Sequence, residues 1–152
     1  MTPRPLPAAA LLCLAVACGA PEPQPAALDT HDESCASCRM AVSEARFAAQ
    51  LVAPGELPRF FDDVGCLAAF VRASRVGAGS TAFVADHRTK AWVRAEQAVF
   101  TRIPGLETPM GSHVIAHANA ASREQDPTAR GGAPLPTAEL FGPAGPPAGG
   151  RR

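Results

Sequence analysis

The chain lacks an excess of either charge: its 152 residues carry 14 Lys and Arg against 14 Asp and Glu. A near-neutral chain has no field with which to hold nucleic acid or a generic acidic surface, so neither is expected as a partner. Aromatic residues are scarce, with seven Phe, one Trp and no Tyr. All but one of them fall between Phe47 and Phe100, which confines the core to residues 34–126. A stretch of that length supports one small domain of modest stability, which a bound metal would help. Long apolar runs are also missing. The stretch from Ala8 to Ala17 is about ten residues, where a spanning helix needs ~20, so membrane attachment through such a helix is not expected.

What is present at the start reads as an export signal. Arg4 supplies a positive charge, the apolar run follows, and Leu14-Ala15-Val16-Ala17-Cys18-Gly19 ends it. Small residues before a cysteine resemble the bacterial lipobox, with Ala15 where lipoproteins usually carry Leu. Residues 1–17 are therefore expected to be a signal peptide and Cys18 the lipidated N-terminus, anchoring the chain to a bacterial membrane on its periplasmic side, the outer membrane included. Residues 18–33, with Pro21, Pro23 and Pro25, read as a flexible tether holding the domain off the membrane. Residues 127–152 are so rich in Pro and Gly that they read as a disordered tail.

Between these ends the pattern is regular. Phe47–Val52 and Arg59–Phe61 read as a hairpin around Pro54-Gly55, and Asp62 or Asp63 can cap a helix whose apolar face is Val64, Leu67, Ala68 and Val71. Thr81–Ala85 and Ala91–Val93 read as strands, followed by Ala98–Thr101, Val114–Ala116 and a helix from Asn119 to Gln125. A helix after each hairpin predicts an α+β fold in a single small domain; the order also fits two similar halves, but the repeat is too weak in sequence for pattern alone to establish them.

The chemistry concentrates in Ser34-Cys35-Ala36-Ser37-Cys38-Arg39-Met40. Cys35 and Cys38 have the C-x-x-C spacing shared by zinc sites, dithiol centres and disulfides. Met40 adds a thioether, which zinc sites rarely use and Cu(I) accepts beside thiolate. In an extended backbone Cys38 and Met40 would point to one side. Downstream, Met110 lies in a Pro-Met-Gly loop, and His113 follows three residues later, four before His117, a spacing that would put both histidines on one helical face or on the same side of a strand. Met110 and His113 are the candidate distant ligands. Cys66 opens the helix, where the dipole favours thiolate, and reads either as a buried apolar residue or as a further ligand or disulfide partner. Of Asp62 and Asp63 a cap is expected rather than a catalytic pair, and His31 and His87 are expected in solvent.

Taken together, the lipobox, C-A-S-C-R-M, F-F-D-D-V-G-C, F-V-A-D-H-x-T-x-x-W-V and T-P-M-G-S-H resemble the NosL family, lipoprotein accessory factors of nitrous oxide reductase maturation. The likeness spans residues 34–125. It implies a Cu(I)-binding protein without catalysis, a membrane-bound ATP-driven (ABC-type) assembly complex as docking partner, an apo copper enzyme as receiver, and two ββαβ-like halves similar to organomercurial lyase. It places Cys38, Met40 and Met110 on the family's sulfur ligands, and puts Arg39 where many members carry Gly. Two other functions fit the residues alone: a thiol–disulfide oxidoreductase using Cys35 and Cys38, and a zinc staple from Cys35, Cys38, Cys66 and one histidine.

Overall fold

The computed structural model describes residues 22–150, so the expected signal peptide and Cys18 lie outside the described residues. The fold is α+β, one domain built, among the described residues, from two small antiparallel sheets and three α-helices. The first sheet has the order β2 (Arg59–Phe61), β1 (Ala49–Val52), β3 (Thr81–Ala85) and β4 (Trp92–Arg94). Helix α1 (Val64–Ala73) connects β2 to β3. In the second sheet β6 (Val114–His117), β5 (Val99–Arg102) and β7 (Ala133–Leu135) lie side by side, with α2 (Ala120–Glu124) between β6 and β7. Each half is a hairpin, a helix and a third strand that returns antiparallel to the first, so the ββαβ order occurs twice.

That repeat accounts for the fate of the Pro/Gly-rich tail, which is not disordered as far as Gly150. The second half needs a third strand, and Ala133-Pro134-Leu135 supplies it at the sheet edge. An edge is where a proline, which has no N–H to donate, does least damage. Helix α3 (Thr137–Phe141) then packs on α1. Its Phe141 is buried with the ring centroid 5.7 Å from that of Phe100, and the Leu140 carbonyl accepts a bond from Arg72. The chain finally bridges Ala148 to Thr81, on the first sheet.

Residues 22–33 are likewise seated on the domain. In β1 the register opposes Gln50 to Phe60 and Phe83, so these three share one sheet face. The Gln50 amide is fully buried and clamps Ala26 in both directions, accepting from its N–H at 2.8 Å and donating to its carbonyl at 3.1 Å. Arg94 lies over the Phe83 ring and pairs with Glu22 at 3.0 Å, while Ala26 and Leu28 pack on the core. The segment acts as a strap across a face that would otherwise leave a glutamine unpaired.

The halves are joined by the β3–β4 turn. Asp86 Oδ2 accepts from the Ala118 N–H at 2.8 Å and the Ser122 hydroxyl at 2.6 Å, both in the second half. Its Oδ1 accepts from the N–H groups of Arg88 and Thr89 and from the Thr89 hydroxyl. Next to it, His87 is buried rather than solvated, and its N–H donates to the Ala116 carbonyl at 2.8 Å.

Candidate functional site: a cluster of three thiols

The C-x-x-C segment forms a short hairpin loop. Val42 N–H donates to Glu33 O, Cys35 N–H to Met40 O at 2.8 Å, and Ser34 bridges Ala41. Within it Arg39 N–H donates back to Cys35 O, which requires Arg39 at φ +69°. This left-handed conformation suits glycine and strains other residues. It explains in physical terms why a glycine would serve there. It also removes the extended geometry expected to align Cys38 with Met40: Cys38 is half-buried, whereas Met40 is 57% exposed. The loop tip is fastened to β2, with Ala36 N–H donating to Phe60 O at 2.8 Å.

This docking carries Cys35 and Cys38 to the start of α1, where Cys66 and Asp62 wait. The sulfur atoms of Cys35, Cys38 and Cys66 and an oxygen of Asp62 all lie within 4.8 Å of one another. Cys35 is fully buried at the base, Cys66 is buried beside it, and Cys38 sits at the more open side. No disulfide joins them. The Cys38 thiol donates to Asp62 Oδ2 at 3.5 Å, and Asp62 Oδ1, though buried, has no hydrogen-bond partner. Three thiols and a carboxylate with a free oxygen make a donor set that can hold a metal ion.

The helix dipole does not make Cys66 a thiolate here. Burial is the largest influence and pushes the Cys66 thiol far up, reinforced by Cys35 and Asp62. Cys38 is also raised, first by burial, with the Met40 backbone pulling the other way and Cys35 and Asp62 adding to the rise. Without a cation these thiols hold their protons; a metal ion must displace them.

The adjacent aspartates divide the work. Asp63 caps α1, accepting from Gly65 N–H at 2.6 Å, and its second oxygen accepts from the Thr108 hydroxyl at 2.6 Å and Met110 N–H at 3.2 Å. So the Pro-Met-Gly loop is pinned to the same helix end that presents Cys66 and Asp62. Met110 is 44% exposed there. His113 is not drawn to the thiols. It is exposed, at φ +57°, and its Nδ1–H donates to Leu106 O at 2.6 Å within its own loop. His117, at the end of β6, is fully buried elsewhere. The loop approaches α1 so closely that a Cβ on Gly65 would lie 2.6 Å from Ser112 Cβ. Gly65→Ala is therefore expected to push residues 106–113 off the helix and to cost about 1–3 kcal/mol; urea unfolding measures the cost, and a backbone shift confined to α1 would show the loop contact to be dispensable.

Sequence reasoning missed Asp62 as a member of the cluster and underweighted Cys66. The available signal was Asp62-Asp63 itself, since one helix needs only one capping carboxylate. Comparison with protein-family models, curated proteins and solved structures finds no match to this chain.

Proposed function

We propose that this chain binds Cu(I) as cargo and passes it to a copper enzyme, without catalysis of its own. The observation that carries this reading is the convergence of three sulfur atoms, one of them at the open side of the cluster. Soft thiolates select soft ions, and Cu(I) is content with two or three sulfur neighbours. Cys38 is the ligand an incoming partner meets first. Met40, two residues on, and Met110, on the loop held by Asp63, leave large parts of their side chains in solvent. They suit a path on which cargo exchanges one sulfur at a time. By the resemblance to the NosL family, the receiver would be apo nitrous oxide reductase or a similar enzyme, reached through a membrane-bound ATP-driven complex, with Cys18 lipid-anchored on the periplasmic face.

The test is a chelator-competition titration under anaerobic conditions. Met40→Ala or Met110→Ala is expected to weaken Cu(I) binding and leave zinc binding nearly unchanged, and X-ray absorption should count at least three sulfur neighbours in the parent. Unchanged Cu(I) affinity in both variants would remove the thioethers from the site.

Asp62 favours a second reading, a structural zinc ion. Cys35, Cys38, Cys66 and Asp62 make four donors, the number a closed zinc site uses, with a carboxylate where a histidine was expected. Stoichiometric zinc that Cu(I) cannot replace would support it. The oxidoreductase reading is disfavoured by the raised thiols, because attack on a disulfide requires thiolate.

A further inference from the structure

Away from the thiols, a second group of ligating side chains converges in the interior. Asp126 Oδ2 lies 2.6 Å from His87 Nδ1 and 3.0 Å from His117 Nε2, and these three atoms are mutually within 4.8 Å. All three residues are more than nine-tenths buried. The fold brings them from separate places. His87 comes from the β3–β4 turn of the first half; His117 ends β6 and Asp126 caps the 3-10 turn Pro127–Ala129 in the second. Strand alternation puts Ile115 and His117 on one face of β6, and there Phe47, Ile115 and Ala129 form a small apolar cluster apart from the main core. The Phe47 ring centroid is 5.2 Å from that of His87.

A carboxylate sealed in such surroundings needs partners, and among the described residues no Lys or Arg pairs with Asp126: Oδ2 meets the two imidazoles and Oδ1 accepts from the Thr128 N–H at 2.9 Å. His117 Nδ1, on the far side of the ring from Asp126, is buried without a partner, so hydrogen bonding does not fix which nitrogen of this ring carries the proton. We propose that His87, His117 and Asp126 form a second metal site, for a borderline divalent cation of the zinc type, that fastens the two halves together. Two imidazole nitrogens and one carboxylate oxygen are a zinc-like donor set, unlike the soft thiols around Cys38. Separations of 2.6 and 3.0 Å between donor atoms need to open only slightly to admit an ion about 2 Å from each. Each ring would then carry its proton on the other nitrogen: His87 on Nε2, His117 on the unpartnered Nδ1. With so little exposure the ion is taken up as the halves close and exchanges slowly afterwards.

The decisive experiment uses the full chain with Cys35, Cys38 and Cys66 all replaced by serine, folded in the presence of Co2+ and checked by circular dichroism. One equivalent of Co2+ is expected, with visible bands of nitrogen and oxygen ligation and no sulfur charge-transfer band. Zn2+ should compete for it and raise Tm. Adding His117→Asn or His87→Gln should weaken uptake by at least ~100-fold, more than the loss of a supporting residue costs. If the serine variant does not fold, the parent chain saturated with Cu(I) is given Co2+ and read the same way. A folded chain that takes up neither ion, or whose uptake survives both histidine substitutions, would reduce the triad to a hydrogen-bonded clip and overturn the proposal.

Discussion

Cys66→Ala is expected to lower Cu(I) affinity by more than ~100-fold, beyond the range typical of residues that only support a ligand, while costing the fold about 1 kcal/mol. The asymmetry follows from position. Cys66 is a small buried side chain in the first turn of α1, so its removal leaves a minor void. The same removal takes one of three sulfur atoms from a cluster within 4.8 Å. Cys38→Ala should weaken binding at least as much, since Cys38 is the sulfur at the open side. Chelator competition gives the affinity and urea unfolding gives the stability. Cu(I) affinity that survives Cys66→Ala but not Cys38→Ala would move the cargo outward, onto Cys38 and the methionines, and leave Cys66 to packing or to zinc.

Asp86→Ala is expected to cost about 3 kcal/mol or more, because several buried donors lose a charged acceptor at once. Its pH dependence has a definite sign. Burial alone would raise the Asp86 carboxyl, but hydrogen bonds from Ser122, Ala118 and Thr89 outweigh it and hold the group well below the usual carboxylate range. A depressed folded-state value stabilises the protein above the unfolded value near ~3.9, and that contribution is lost as pH falls below it. Urea midpoints should therefore drop between about pH 4 and pH 2 more steeply for the parent than for Asp86→Asn. Parallel slopes would show that Asp86 does not carry the acid sensitivity.

Local pattern was enough to place most of the fold. The breakers at Pro54-Gly55, the period of Val64, Leu67 and Ala68, and the cap at Asn119 each matched the element that formed. The tail was misjudged because composition describes what a segment can do alone. β7 exists only because β5 offers it an open edge, and the sign of that edge was the repeat itself: a second hairpin and helix with no third strand to follow. The site divided along the same line. Cys35 and Cys38 are neighbours in sequence and legible there, whereas Cys66 and Asp62 join them through the docking of Ala36 on Phe60, a tertiary contact without a sequence period. Spacing alone misplaced the histidines. His113 and His117 are four apart yet part company, since one turns at positive φ and the other ends a buried strand.

The strap on Gln50 changes the leash arithmetic for any anchor at Cys18. With everything up to Glu33 free, the domain would roam on sixteen residues, reaching ~55 Å when fully drawn out. Because Glu22 is already tied to Arg94 and Ala26 to Gln50, an anchor at Cys18 would lie four positions from the seated segment, a contour length of at most about 14 Å. A chain anchored there would keep its seated segment within that span of the anchor. Releasing the strap would restore the longer radius.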